Sequence, residues 1–198
     1  MGDKELIEAA RHGDEVAFSS LIETYYARLY RAACCLTRSA PDAEDLAQET
    51  SVRACRALGR FRGDCSFYTW LFSILLNLYR RWLRHQRRRQ RWHTGAKHPE
   101  AADPAPSPRR RLAAQDDLER VLRLIDELPP KLREILVLRH VEEMSNDEIA
   151  RAVGCRPGTV GSRLHRARQL LAARCRRSRG SDEKIPYRSF AEQGGMSR

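Results

Sequence analysis

A proline- and alanine-rich segment is the feature that most limits how this chain can fold. Residues 93–111 include Pro99, Pro104, Pro106 and Pro108, and such a composition neither sustains a helix nor buries a core. The pieces on either side are roughly 85 and 65 residues long, too short for a large catalytic architecture. We therefore predict two small domains and a flexible linker that leaves their orientation free. The predicted divisions are a first domain at 1–92, the linker at 93–112, a second domain at 113–177 and a poorly ordered tail at 178–198.

Both pieces have the apolar period of a helix. In the first piece, apolar residues recur every three or four positions over 18–36, 42–61 and 66–78. In the second, the same period runs over 118–128 and 131–140. Nothing alternates with a period of two, so the predicted fold class is all-α.

The second piece also contains the pattern of a helix-turn-helix. Ser145 and Glu148 form a capping box, the helix that they open ends at Gly154, and a basic helix begins near Pro157. In such motifs the second helix lies in the DNA major groove. With Val160, Leu164 and Ala167 facing the core, the outer face carries the candidate DNA contacts Arg156, Thr159, Ser162, Arg163 and Arg166. The alternative is a plain helical hairpin with a solvated basic face.

The charge balance favours a polyanionic partner. Lysine and arginine number 37 against 26 acidic residues, for a net charge of +11, and nearly all of the basic residues are arginine. Seven arginines lie between Arg80 and Arg91 with no acidic residue among them, and a second group begins at Arg163. The guanidinium fork suits phosphate oxygens and guanine edges. Nucleic acid is the favoured partner, although solvated helix faces would give the same composition.

Residues 61–70 place aromatic rings beside arginines. Rings at a domain surface stack on unpaired bases without regard to base identity. Taken alone, Phe61 and Trp70 are more typical of core packing. The residues that follow, Asn77, Arg80, Arg81 and Arg84, indicate a DNA path close by.

Several classes of protein are disfavoured. No apolar run approaches the roughly 18 residues that span a bilayer, and the N-terminus lacks an export signal, so we expect a cytoplasmic protein without membrane insertion. We find no metalloprotease motif, phosphate loop or activated nucleophile, so we expect no enzyme, cofactor or metal. The six cysteines form no C-x-x-C pair, and we expect mostly buried thiols without disulfides.

Five motifs, in order, resemble those of the extracytoplasmic-function (ECF) sigma factors of bacterial RNA polymerase. They are Asp-Ala-Glu-Asp-Leu-Ala-Gln-Glu-Thr at 42–50, Phe-Arg-Gly at 61–63, Ser-Phe-Tyr-Thr-Trp-Leu at 66–71, Leu-Pro-Pro at 128–130, and the segment 158–168. The resemblance covers about residues 6–90 and 113–175.

The resemblance implies a mechanism and a set of partners. The family's acidic helix, which docks on the polymerase clamp, matches Asp45, Leu46, Gln48 and Glu49. The loop and helix that capture a flipped base and line the promoter's −10 element match Arg62, Gly63, Asp64, Cys65, Ser66, Phe67, Trp70, Asn77, Arg80, Arg81 and Arg84. The helix-turn-helix would read the −35 element beside the polymerase flap. An anti-sigma factor is a further partner that the resemblance implies, and it would hold the protein at the inner membrane.

The sequence departs from the family pattern at four positions. Ser51 and Cys55 stand where aromatic residues are common, Cys65 replaces a small residue, and Gly161 replaces a lysine. Two other functions stay open at this point. One is an independent transcription regulator whose first domain dimerises, and the other is a thiol or metal sensor that uses the cysteines.

Overall fold

The computed structural model describes residues 2–92 and 124–179, and every regular element in these two ranges is helical. The predicted linker, and the tail beyond residue 179, lie outside the described residues. The helices are α1 (Asp3–Arg11), α2 (Glu15–Thr37), α3 (Ala40–Ala57), a 3₁₀ turn (Leu58–Arg60), α4 (Phe67–Trp92), α5 (Pro130–His140), α6 (Asn146–Val153) and α7 (Pro157–Arg179). The all-α prediction is confirmed.

Helices α1 to α4 form the first domain. The sequence analysis missed α1, whose first turn is acidic and which buries only Ile7. Helix α4 supplies the largest fully buried side chains, Phe72 and Tyr79. The ring of Phe72 packs edge-on against that of Tyr68 at 4.7 Å. These side chains anchor α4 in the core of the first domain.

Helix α3 ends earlier than the periodicity predicted. Ser39 caps its start, and Pro41 lies in its first turn. The helix stops at Ala57, and the 3₁₀ turn then tightens the chain so that Phe61 is extended, with φ −70° and ψ 113°. Leu58 and Phe61 are buried, which anchors both ends of this turn in the core. The loop that follows is thereby held at the surface.

Helices α5, α6 and α7 form the helix-turn-helix domain. The capping box is present, because the Ser145 hydroxyl accepts the N–H of Glu148 at 3.3 Å and Glu148 accepts the N–H of Ser145 at 2.8 Å. Gly154 ends α6 in the left-handed region, with φ +73°. The inward face of α7 is as predicted, since Val160, Leu164 and Ala167 are all buried.

Removing this cap should destabilise the second domain. Ser145→Ala is expected to lower the free energy of unfolding by about 1 kcal/mol, the usual contribution of a serine N-cap. Chemical denaturation followed by circular dichroism measures the change. Ser162→Ala, which removes an exposed hydroxyl within α7, is the control and should stay within about 0.5 kcal/mol of the parent. Equal losses in both variants would contradict the capping assignment.

The two domains contact each other. Helix α4 packs against α6, and α2 packs against α5. Arg133 on α5 donates to the carbonyl of Leu36 and to the hydroxyl of Tyr79, both at 3.3 Å. This differs from the free orientation that the sequence analysis expected. The reason is a set of polar side chains whose partners lie in the other half of the chain.

The described residues also bear on the expectations about membrane-spanning helices and about the cysteines. None of the helices described is long and apolar enough to cross a bilayer. The six cysteines form no disulfide, as expected, but none is fully buried: Cys55 is exposed and the other five are half-buried. The expectation of mostly buried thiols therefore holds only in part: Cys34, Cys35, Cys65 and Cys155 pack against the core without being fully enclosed by it.

Candidate nucleic-acid interface

A pocket lies where the 61–66 loop meets the start of α4. Its volume is about 220 Å³. It brings together most of the loop residues singled out from the sequence, and its lining is Arg60, Phe61, Arg62, Gly63, Asp64, Cys65 and Trp70. Cationic, thiol and aromatic groups thus surround one small space.

Packed rings form one wall of this pocket. The ring of Trp70 lies 5.1 Å from that of Phe61 and 5.5 Å from that of Phe67. Phe67 is only 2% exposed, so in this structure its ring is not presented to a base, and the contact that the sequence analysis proposed stays a prediction. Its ring instead supports the half-buried Trp70 from behind. Phe61 is also buried, in line with the core reading of that residue.

The polar side of the pocket is exposed. Arg62 and Asp64 form an ion pair at 3.0 Å, with side chains 84% and 72% exposed. Gly63 between them has φ +80°, which disfavours any side chain at this position. An exposed pair of this kind contributes little to stability and leaves the arginine available for an anionic ligand.

A basic depression continues from the pocket along α3 and α4. It has a volume of about 390 Å³ and includes Arg60, which also lines the pocket. Its remaining lining residues are Arg53, Arg56, Ala57, Ile74 and Asn77.

The residues of α4 that were predicted to contact DNA fall into two groups, one exposed and one bound to another helix. Asn77, Arg81 and Arg84 are exposed as expected. Arg80 is not free, because its guanidinium binds Glu134 of α5 through two contacts, at 3.0 and 2.7 Å.

The acidic edge of α3 is largely as expected. Asp45, Gln48 and Glu49 are exposed, and Glu49 pairs with Arg53 at 2.6 Å. Leu46 is 7% exposed and faces the core. Its contact with polymerase stays a prediction, and in this structure the helix turns the side chain inward.

Helix α7 presents a basic outer surface. Arg156, Ser162 and Arg166 are exposed, and Thr159 and Arg163 are half-buried. All five predicted positions lie outside the core stripe of α7. The exposed Gly161 lies on the same surface, and a Cβ built there would meet nothing within 4 Å.

Sequence reasoning missed two buried carboxylates, Glu134 and Glu142. Each is 2% exposed. Glu134 immediately precedes the apolar run from Ile135 to Leu138, which was an available signal that its side chain faces something other than water.

The part of the chain that the structure describes gives no support to a thiol or metal sensor, which would need an activated thiol or a cluster of metal ligands. Burial raises the pKa of Cys35 and of Cys65, so both stay protonated at neutral pH, in the less reactive form. Within residues 2–92 and 124–179, no three His, Cys, Asp or Glu side chains cluster as metal ligands would.

Two family models match the chain. Residues 21–89 match the model for sigma-70 region 2, and residues 118–171 match the model for sigma-70 region 4. The first match contains the pocket and the acidic edge of α3, and the second contains the helix-turn-helix.

Characterised proteins match over most of their length. The RNA polymerase sigma-H factor of Pseudomonas aeruginosa is 35% identical over 176 residues, which cover 85% of this chain and 91% of that protein. The ECF RNA polymerase sigma-E factor of Escherichia coli K12 is 33% identical over 183 residues, covering 85% and 92%.

Solved structures show the same fold. CnrH, in complex with the cytosolic domain of CnrY, matches with a TM-score of 0.67 and 29% identity over 88% of this chain and 97% of that chain. The sigma factor RpoE of Bartonella quintana, in complex with the anti-sigma factor NepR, matches with a TM-score of 0.65 and 26% identity over 80% and 96%. Together, the pocket, the basic helix-turn-helix and these matches show that the chain belongs to the ECF group of the sigma-70 family, the non-catalytic subunits that bind core RNA polymerase and recognise promoters.

Proposed function

We propose that this chain performs the work of a sigma factor through three separate surfaces. The acidic edge of α3 binds the polymerase clamp, the pocket at 61–70 takes an unpaired base of the −10 element, and the outer face of α7 reads the −35 element. The observation that carries the proposal is the pocket, because it joins an aromatic wall to exposed arginine at one point.

The pocket suits a single nucleobase. An aromatic face such as that of Trp70 stacks on any base, and Arg62 lies ready to contact the adjoining phosphate. Binding energy for unpaired bases would offset the unstacking of a few base pairs, so melting requires no nucleotide hydrolysis by this chain. The basic depression beside the pocket supports a path for the same strand.

The other two surfaces suit their partners by charge. Asp45, Gln48 and Glu49 offer an acidic and amide edge to a basic partner helix. Arg156, immediately before α7, and Arg166 on α7 are exposed where a recognition helix contacts base edges and phosphates.

Footprinting tests the proposal directly. With core polymerase and a promoter fragment, permanganate should modify unpaired thymines in the −10 element, and nuclease protection should extend over the −35 element. Protection of a site without polymerase, and without any unpaired bases, would instead favour an independent regulator.

Salt dependence tests the path along α4. The double variant Arg81→Ala/Arg84→Ala should reduce the slope of log affinity against log salt by about 2, because each phosphate contact releases about one counterion. Filter binding of the holoenzyme to promoter DNA across a salt series measures the slope. Lys4→Ala/Arg11→Ala, which removes two cations from α1, should leave it unchanged.

Location and regulation follow from the same assignment. We infer that the protein acts in the cytoplasm, where it meets RNA polymerase and promoter DNA. We also infer that an anti-sigma factor holds it inactive, and that an anti-sigma factor anchored in the inner membrane would keep the protein there. The structures of CnrH with CnrY and of RpoE with NepR support such a partner for this fold.

A further inference from the structure

Two carboxylates of the second domain are buried at its boundary with the first. Among the acidic residues that the structure describes, only Glu134 and Glu142 are buried, each with 2% exposure. A carboxylate removed from water is strongly disfavoured unless cations or hydrogen-bond donors surround it. Their burial therefore depends on the partners that face them.

All of these partners belong to the first domain. Glu134 on α5 accepts two hydrogen bonds from Arg80 on α4, at 3.0 and 2.7 Å. Glu142, in the turn between α5 and α6, pairs with Arg28 at 3.2 Å and with Arg31 at 3.6 Å.

Tyr68 completes the enclosure of Glu142. Its hydroxyl donates to the carboxylate, and burial raises the Tyr68 pKa, which keeps that proton in place. The guanidinium of Arg28 lies 3.8 Å from the centre of the Tyr68 ring and also donates to the backbone carbonyl of Glu142 at 3.2 Å. The carboxylate is thus held by three side chains from α2 and α4.

This closed arrangement competes with DNA. The two carboxylate oxygens of Glu134 take the paired donors that Arg80 would offer to a phosphate. Promoter elements centred near −10 and −35 are also about 85 Å apart at about 3.4 Å per base pair. Domains in direct contact cannot reach both, whereas the segment 93–123 is long enough to extend about 100 Å.

We propose that Glu134 and Glu142 form an intramolecular latch, in which two carboxylates of the −35-reading domain occupy Arg80 and enclose Tyr68 of the −10-reading domain until the chain opens on polymerase and promoter. The inference rests on the proposed function of the two domains. It adds that the free chain masks part of its own DNA face. An apparent affinity falls by the fraction of molecules that are open, so a chain about one-tenth open binds about tenfold more weakly than an open one.

The test uses the full-length chain with both charges removed. Glu134→Gln/Glu142→Gln keeps the shape of each side chain, and Glu127→Gln/Glu143→Gln removes two exposed charges from the same domain as the matched control. The probe is single-stranded DNA that carries the non-template −10 sequence mapped by run-off transcription. Without polymerase, the latch variant should bind it about tenfold more tightly than the parent, and small-angle X-ray scattering should show a longer maximum dimension.

Combining the substitutions with Arg80→Ala tests whether Arg80 is the group that the latch masks. In Arg80→Ala, adding Glu134→Gln should give no further gain in affinity, and circular dichroism should show every variant folded. Equal affinity and equal dimensions for parent and latch variant would overturn the latch, even when both direct transcription normally. Failure of every variant to direct transcription would instead count against the proposed function. Equal gains in the control pair would overturn the latch as well, because they would reflect net charge alone.

Discussion

Trp70→Ala is expected to slow open-complex formation by about tenfold or more, because stacking of one base on an aromatic side chain is worth about 1–3 kcal/mol. The indole lines the pocket and is supported by Phe61 and Phe67, so it is the group in this space best placed to stack. Stopped-flow fluorescence of a labelled promoter with holoenzyme measures the rate. Trp70→Phe, which retains a ring, should recover most of it.

The DNA supplies the matched control for this variant. A promoter with an abasic nucleotide at the captured position should slow the parent protein as much as Trp70→Ala does. On that template, Trp70→Ala should cause no further loss, because the two changes remove the same contact. If the two losses add in full, Trp70 supports the fold and does not hold the base.

Charge reversal on α3 should have an effect of similar size on assembly. Asp45→Lys/Glu49→Lys is expected to weaken binding to core polymerase by about a hundredfold, because like charges placed against a basic partner surface cost several kcal/mol. Both side chains are exposed, so the fold should tolerate the change. Fluorescence anisotropy of labelled protein with core polymerase measures the affinity.

The control makes the same change of charge elsewhere in the domain. Glu8→Lys/Glu23→Lys alters exposed residues of α1 and α2 and should change the affinity by no more than about twofold. A comparable loss in this pair would mean that net charge, and not the edge of α3, controls assembly.

Local pattern was sufficient for most of the fold. The 3.6-residue period located α2, α3 and α4, and the capping box and Gly154 located the helix-turn-helix, because these signals depend on neighbours within one turn of helix. Helix α1 was missed since a single buried side chain, Ile7, gives no stripe to detect.

The site was only partly predictable, for a physical reason. A motif identifies positions along the chain, whereas contact with a partner depends on which way each side chain turns. Leu46 and Phe67 lie within the right motifs but face the core. The apolar period over 42–61 already indicated that Leu46 turns inward.

The contacts between the domains could not be predicted from local sequence pattern. Arg28 and Glu142 are 114 positions apart, and nothing near either residue in the sequence identifies the other. Their pairing depends on how two separately folded units meet, which charge and periodicity alone do not determine. A local sign of that interface was the buried Glu134, which stands next to the apolar run from Ile135 to Leu138.

The most direct test of the central claim is run-off transcription with bacterial core polymerase, with and without the protein, on a pooled library of upstream fragments from its source genome. We predict discrete new start sites that appear only when the protein is added and that share two sequence elements at a fixed separation. Folded protein that neither binds core polymerase nor produces new transcripts would contradict the account.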